Sequence, residues 1–184
     1  MKPGPTYYAR ARADWRRWLD RNGGRAKEIW LVYPKKHTGK PRIAYNDAVD
    51  EALCFGWIDS TNRALDPDHT AQRFTPRRPG SALSPMNRER ARRLIAAGRM
   101  RAAGRRAIGD QLKGPRATAI PADILERLRS DPEVWKNFRR FPASYRRIRT
   151  GWIEGARRRP AEFEKRLAYF LRMTAKNRKY GMVQ

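Results

Sequence analysis

Leu, Ile, Val and Phe together supply only 30 of the 184 residues, while 43 Lys and Arg face 18 Asp and Glu for a formal charge of +25. Scarce aliphatic side chains combined with self-repulsion are the composition of chains that fail to bury a core. Six Trp, seven Tyr and apolar residues that recur at helical and strand spacings oppose that outcome. A chain of this kind folds only if aromatic rings build much of its interior and arginine covers much of its surface. The length suits one domain, or one domain with a helical appendage.

Several chemistries are disfavoured at once. A single cysteine, Cys54, rules out an intrachain disulfide framework, and its apolar run Ala52-Leu53-Cys54-Phe55 reads as a small buried hydrophobe. His37 and His69 are the only histidines and form no HExxH-type pair, so no metal or cofactor is expected. Neither Gly23-Gly24 nor Gly114-Pro115 sits in a phosphate-loop context. No secretory h-region opens the chain and no apolar run reaches 18 residues, so the expected location is the cytoplasm, without a membrane span. Asp47, Asp50 and Glu51 could share a helix face, where acids near a helix N-terminus are favoured by its dipole. No complete catalytic motif is present, and the residues lean towards a non-enzymatic protein.

The order of elements points to an α+β fold: a small antiparallel sheet with flanking helices, followed by a helical C-terminal region. Trp15, Trp18 and Leu19 at helical spacing, stopped by Asn22-Gly23-Gly24, predict a helix over about 11–22. Glu28 to Tyr33 predicts a strand ended by Pro34, and Lys35 to Pro41 a turn. Ala48, Val49, Ala52 and Leu53 predict a second helix, with Asn46 as N-cap and Gly56 beyond its end. Residues 57–63 and 71–77 flank Asp66-Pro67-Asp68-His69 as a hairpin. Ser84-Pro85 starts a helix carrying Leu94 and Ile95, and a short helix follows over about 100–108.

Residues 109–121, with two Gly and two Pro, read as a linker between a core domain, 1–108, and a helical region, 122–184. In the latter, Ile124, Leu125 and Leu128 form one stripe, and Asp131-Pro132 caps a helix with Val134, Trp135 and Phe138. Tyr145, Ile148, Trp152 and Ala156 form the next, and Phe163, Leu167, Phe170 and Leu171 the last. Charge is unevenly divided: residues 1–84 carry +7 and residues 85–184 carry +18.

Particular segments carry a resemblance. The runs AYNDAVDEALCFGWIDS and FTPRRPGS are followed by Ser84, Asn87, Arg90 and Leu94 spaced as S-x-x-N-x-x-R-x-x-x-L, and by Gly98-Arg99-Met100. WRRWL, WLVYPKK, IPADILERLRSDPEVWKNF and the SYRR and WIEGARR segments extend the likeness over most of the chain. In these the sequence resembles the YdeI/OmpD-associated family, also labelled bacteriocin-protection proteins. The family's signature residues fall on Gly56, Trp57, Ile58, Asp59, Ser60, Thr75, Pro76, Arg77, Ser81, Ser84 and Asn87. Leu83 stands where the pattern expects Trp, and Arg159-Pro160 disturbs the expected register before Phe163.

A hairpin whose paired residue numbers sum to 136 sets Asp59 opposite Arg77 and Thr61 opposite Thr75, on one face with Trp57. Such a face could hold a small polar ligand, with Trp57, Asp59, Ser60, Arg77, Ser84 and Asn87 as candidate ligand-binding residues; a register one shorter puts Asp59 opposite Pro76. The competing structural reading is a salt bridge beside a helix capped by Ser84.

The charge admits an alternative: nucleic-acid binding through arginine-rich helices, with Arg88, Arg92, Arg93, Arg146, Arg147, Arg157 and Arg158 as candidates. No RNP-type aromatic pair, zinc finger or recognition helix accompanies them. Of the 43 cations 33 are arginine, a bias that codon composition also produces. What the resemblance implies is a part in bacteriocin or cationic-peptide tolerance and envelope stress. A protein at +25 repels cationic peptides, so that part is expected to be indirect, by regulation or through an anionic partner.

Overall fold

The computed structural model describes residues 4–113 and 119–181. These divide into two compact units, one holding the described residues up to 82 and 90–111, the other 83–89 and the described residues from 112 onwards.

The first unit is built on a four-stranded mixed sheet in the order β1-β2-β4-β3. The strands are β1 (Thr6–Tyr8), β2 (Ile29–Pro34), β3 (Trp57–Ala64) and β4 (His69–Pro76). The antiparallel β2–β4–β3 portion follows the expected pattern. β1, three residues long and parallel to β2, was not foreseen. It lies directly after Pro5 and is too short to show a period, and it is held by pairings such as Tyr7 with Leu31 and by the Trp30 N–H donating to Pro5 O at 2.9 Å.

Helices α1 (Arg12–Asn22) and α2 (Tyr45–Cys54) cover one sheet face. Trp15 and Trp18 stack at 5.2 Å, Trp18 meets Trp57 edge-on at 5.8 Å, and Trp15 lies against Phe74. Aromatic rings thus do the work that scarce aliphatics cannot; burying one ring of this size contributes about 2–3 kcal/mol. Both buried indoles satisfy their N–H, Trp15 on Ala48 O and Trp57 on Gly23 O.

Seven consecutive residues of α2, Ala48 to Cys54, are buried. The helix begins one residue before Asn46: Ala44 is the N-cap, and the Asn46 Oδ1 expected to cap instead accepts from Arg90 Nη2 at 2.5 Å. Gly56 takes φ +79 past the helix end, where a side chain would also run into Ala103 and Ala107 of α4 (Ala102–Ile108). α3 (Pro85–Ala96) precedes α4, and Ser84 Oγ accepts from Asn87 N at 3.2 Å as its cap. Within the segment taken as a linker, residues 109–112 form a 3-10 turn, and residues 114–118 lie outside the described residues.

The second unit's core comes from α5 (Ala122–Arg129), α6 (Pro132–Arg140), α7 (Ala143–Glu154) and α8 (Pro160–Ala175). Ile124, Leu128, Phe138, Tyr145, Leu167 and Phe170 meet there as their spacing predicts. Asp131 caps α6, accepting from Glu133 N and Val134 N at 2.8 and 3.1 Å. The stripe ending on Ala156 outruns its helix, since α7 stops at Glu154. Arg159-Pro160, expected to disturb the register, opens α8 with proline in its first turn, where a missing N–H costs nothing.

Candidate functional site

The hairpin register decides which signature residues meet. Asp66 Oδ1 accepts from Asp68 N and His69 N, at 2.8 and 2.7 Å, and this turn centres the hairpin on Pro67. Ala64 then pairs with Thr70 and Asn62 with Gln72; a bulge between Asp59 and Asn62 takes up one further residue, so that Asp59 pairs with Phe74 and Trp57 with Pro76. Neither register considered from sequence occurs. Thr61 does not face Thr75, which pairs with Ile58, and the Arg77 N–H donates to Gly56 O, leaving Arg77 well away from Asp59 along the ladder. The turn and the bulge within β3, neither of which strand periodicity reports, account for the difference.

Each signature residue finds separate company. Trp57 belongs to the core. Ser60 is exposed, its Oγ 3.5 Å from Arg73 O. Arg77 is 6% exposed and faces backbone: Nη2 donates to Ser81 O at 2.9 Å, Ser81 Oγ at 3.2 Å and Ala82 O at 3.2 Å, pinning the loop after β4. Its Nε and Nη1 are buried without hydrogen-bond partners among the described residues, and burial lowers its pKa. Ser84 and Asn87 belong to the second unit, where they form the α3 cap, and Leu83 is buried.

Asp59 has a different partner. Its Oδ2 accepts from the Tyr45 hydroxyl at 2.6 Å, at the first residue of α2. Tyr45 also lines a cavity of about 220 Å³ with Tyr33, Arg42, Ile43, Ala44, Asn62 and Thr70. Tyr33 follows Ile29 and Leu31 on the core face of β2 and is paired with Thr70; it is 6% exposed, and its buried hydroxyl has no hydrogen-bond partner among the described residues. Burial first, then the neighbouring Tyr45 and Asp59, raise the Tyr33 pKa; burial and the bond to Asp59 raise that of Tyr45. Both phenols therefore stay protonated as donors. Of these residues sequence reasoning named only Asp59. Tyr45 stood inside the quoted AYNDAVDEALCFGWIDS run, and a tyrosine alternating with Ile29 and Leu31 was the available signal for Tyr33.

The acids of α2 serve the arginines. Glu51, fully buried, accepts from Arg12 Nε, Arg16 Nη1 and Arg99 Nη2, each at 2.5 Å. Asp50 accepts from Arg90 Nη1 at 2.8 Å and Arg93 Nη2 at 2.6 Å, and Asp47 from Arg12 at 2.7 Å. Burial would raise the Glu51 pKa, but the three guanidinium bonds outweigh it and hold the carboxyl below its ordinary value. Cys54 is buried and its thiol is pushed up by desolvation, then by Glu51, which suits an inert side chain.

Among the residues considered for nucleic acid, Arg93 is bound to Asp50, Arg147 to Glu89 at 3.0 and 2.7 Å, and Arg157 to Asp123 and Glu154. Arg146 lies over Phe138, Arg92 is half-buried, and Arg88 and Arg158 are exposed. Among the described residues no three of His, Cys, Asp and Glu gather as metal ligands, and no helix is long and apolar enough to cross a membrane.

Two family models match the chain. Residues 7–107, which carry the GWIDS and TPR motifs, match a domain of unknown function, DUF8412, and residues 117–177 match the family described as Bacteriocin-protection, YdeI or OmpD-Associated. No curated protein and no solved structure matches. The likeness read from sequence is therefore divided between two models, the bacteriocin-protection one falling on the helical region rather than on the hairpin. The chain belongs to the DUF8412 family, whose model covers its sheet-bearing region, and its C-terminal helices match the YdeI/OmpD-associated model.

Proposed function

We propose that this protein contributes to bacteriocin or cationic-peptide tolerance and envelope stress from the cytoplasm, indirectly and without capturing the peptide. The supporting observation is the +25 charge of a chain whose helices match the bacteriocin-protection family. A net charge of that sign disfavours the approach of a cationic peptide, and the carboxylates of α2 are already committed to arginine. The test pairs two measurements. Cells lacking the gene should survive cationic peptides and bacteriocins less well than complemented cells, while the purified protein should show no binding to the same peptides at physiological salt. Tight peptide binding would overturn the indirect route, and unchanged survival would remove the tolerance role.

A second reading is favoured by the cavity: a small-molecule binding protein whose site includes Asp59, with Tyr33 and Tyr45 in place of Arg77. An unpartnered hydroxyl buried in the wall of a polar cavity is what a binding site leaves unsatisfied when its ligand is away. Thermal-shift screening with metabolites checks it; stabilisation that survives Asp59→Ala would place the site elsewhere.

A further inference from the structure

The chemistry of the cavity narrows what it can take. Among the described residues Arg42 is the only cation in its lining, exposed and bonded from Nη1 to Pro34 O at 2.9 Å. Ile43, Ala44 and Tyr45 bring in the start of α2, a ten-residue helix whose N-cap Ala44 has no side-chain oxygen to satisfy the first-turn N–H groups. Tyr33 adds the unpartnered hydroxyl, and Asn62 and Thr70 add neutral polar groups. A helix N-terminus, a guanidinium and a phenol are all donors to an anion. Asp59 limits the charge of that anion, because its carboxylate stands directly behind Tyr45 at 2.6 Å from the hydroxyl. With Arg42 and Asp59 offsetting each other, a monocarboxylate leaves one negative charge for the donors of the site to face, whereas a dianion leaves two and is repelled more strongly. The tyrosine rings and Ile43 offer the rest of such a ligand an apolar wall.

We infer that the cavity at the start of α2 binds a small monocarboxylate, its carboxylate group held by Arg42, the Tyr33 hydroxyl and the first-turn amides of α2, and its apolar body against Ile43 and the tyrosine rings. This rests on the small-molecule reading of the cavity and deepens it by naming the ligand class. The hydroxyl of Tyr33 is sealed from solvent, so a ligand reaches it only by displacing a neighbouring side chain.

Benzoate, acetate and inorganic phosphate titrated into the full chain provide the test, followed through the backbone amide resonances of Ala44 and Tyr45. Benzoate should shift them saturably and more tightly than acetate. Tyr33→Phe, which keeps the ring, and Arg42→Ala, at an exposed position, should each weaken benzoate by about tenfold while leaving the spectrum otherwise dispersed. Absence of a saturable shift, or equal affinity in Tyr33→Phe and the parent, overturns the inference. Phosphate saturating those amides more tightly than benzoate does so too, by moving the site to dianions. If benzoate fails while another class of metabolite stabilises the chain in an Asp59-dependent way, the carboxylate falls and the cavity reading stands; silence from both removes both.

Discussion

The two units accommodate arginine by different means. In the sheet-bearing unit, guanidinium groups converge on the buried carboxylates of α2: Arg12, Arg16 and Arg99 on Glu51, Arg90 and Arg93 on Asp50. In the helical unit several lie on rings. Arg149 sits over Tyr180 at 4.1 Å, Tyr145 at 5.3 Å and Trp152 at 5.9 Å, Arg166 over Trp152 at 4.4 Å, and Arg129 and Arg139 both approach Trp135. A carboxylate hub offsets part of the charge of several cations but titrates, and a lost member leaves others buried and unpaired. A ring neutralises nothing and does not titrate in acid, but it lets the guanidinium be covered while its edge seeks a carbonyl. One composition thus supports one unit sensitive to acid and one stabilised by stacking.

The hub carries the largest expected effect. Glu51→Gln keeps the volume and removes the charge that three arginines share, and it should cost about 3 kcal/mol in denaturant unfolding. A loss below about 1 kcal/mol would show that solvent already screens those guanidinium groups. Acid should act in the same direction. Because the Glu51 pKa is lower in the folded chain, its contribution is fully present above the unfolded value of about 4.3 and is lost as pH falls through the lower folded value. Amide exchange measured below pH 4 should therefore speed up in α2 before it does in α8, and the reverse order would break the contrast.

Stacking should come second. Arg149 is 6% exposed, and besides its three rings it donates Nη2 to Tyr180 O, tying the residues after α8 back to α7. Arg149→Ala should cost about 2 kcal/mol and free Tyr180. Arg149→Lys should recover little, since an ammonium neither lies flat on a ring nor reaches the same carbonyl. Full rescue by lysine would assign the site to charge alone.

Legibility in the sequence follows the same division between local and non-local causes. The Trp15-Trp18-Leu19 spacing, Asp131-Pro132 and Ser84-Pro85 are local statements about helices, and each stands where its residues place it. The Asp59–Arg77 pairing depended on a count across a turn, and one Asx-turn and one bulge changed it. Asn46 was misread as a cap because its attraction to Arg90, 44 positions away, is invisible to spacing. The Asp47, Asp50 and Glu51 face was legible as a face, but its role as acceptor for five arginines needed the folded arrangement of α1, α2 and α3. The cavity was the least legible feature: Tyr33, Arg42 and Thr70 converge only through the β2–β4 pairing and the entry into α2.

The smallest effect is expected where both devices occur together at the surface. Arg157 lies 4.3 Å over Phe163 and bonds Asp123 and Glu154, the two carboxylates about half exposed. The bond from Arg157 lowers the Asp123 pKa, so charge is shared there as it is at Glu51. What differs is water: exposed pairs exchange one solvation for another and are screened by salt, so the same contacts lose most of their worth. A double-mutant cycle with Arg157→Ala and Asp123→Ala should give a coupling close to the error of thermal unfolding, and 1 M salt should abolish it. A coupling as large as that of Glu51 with Arg16 would mean that the number of contacts, not their burial, sets the strength of arginine binding in both units.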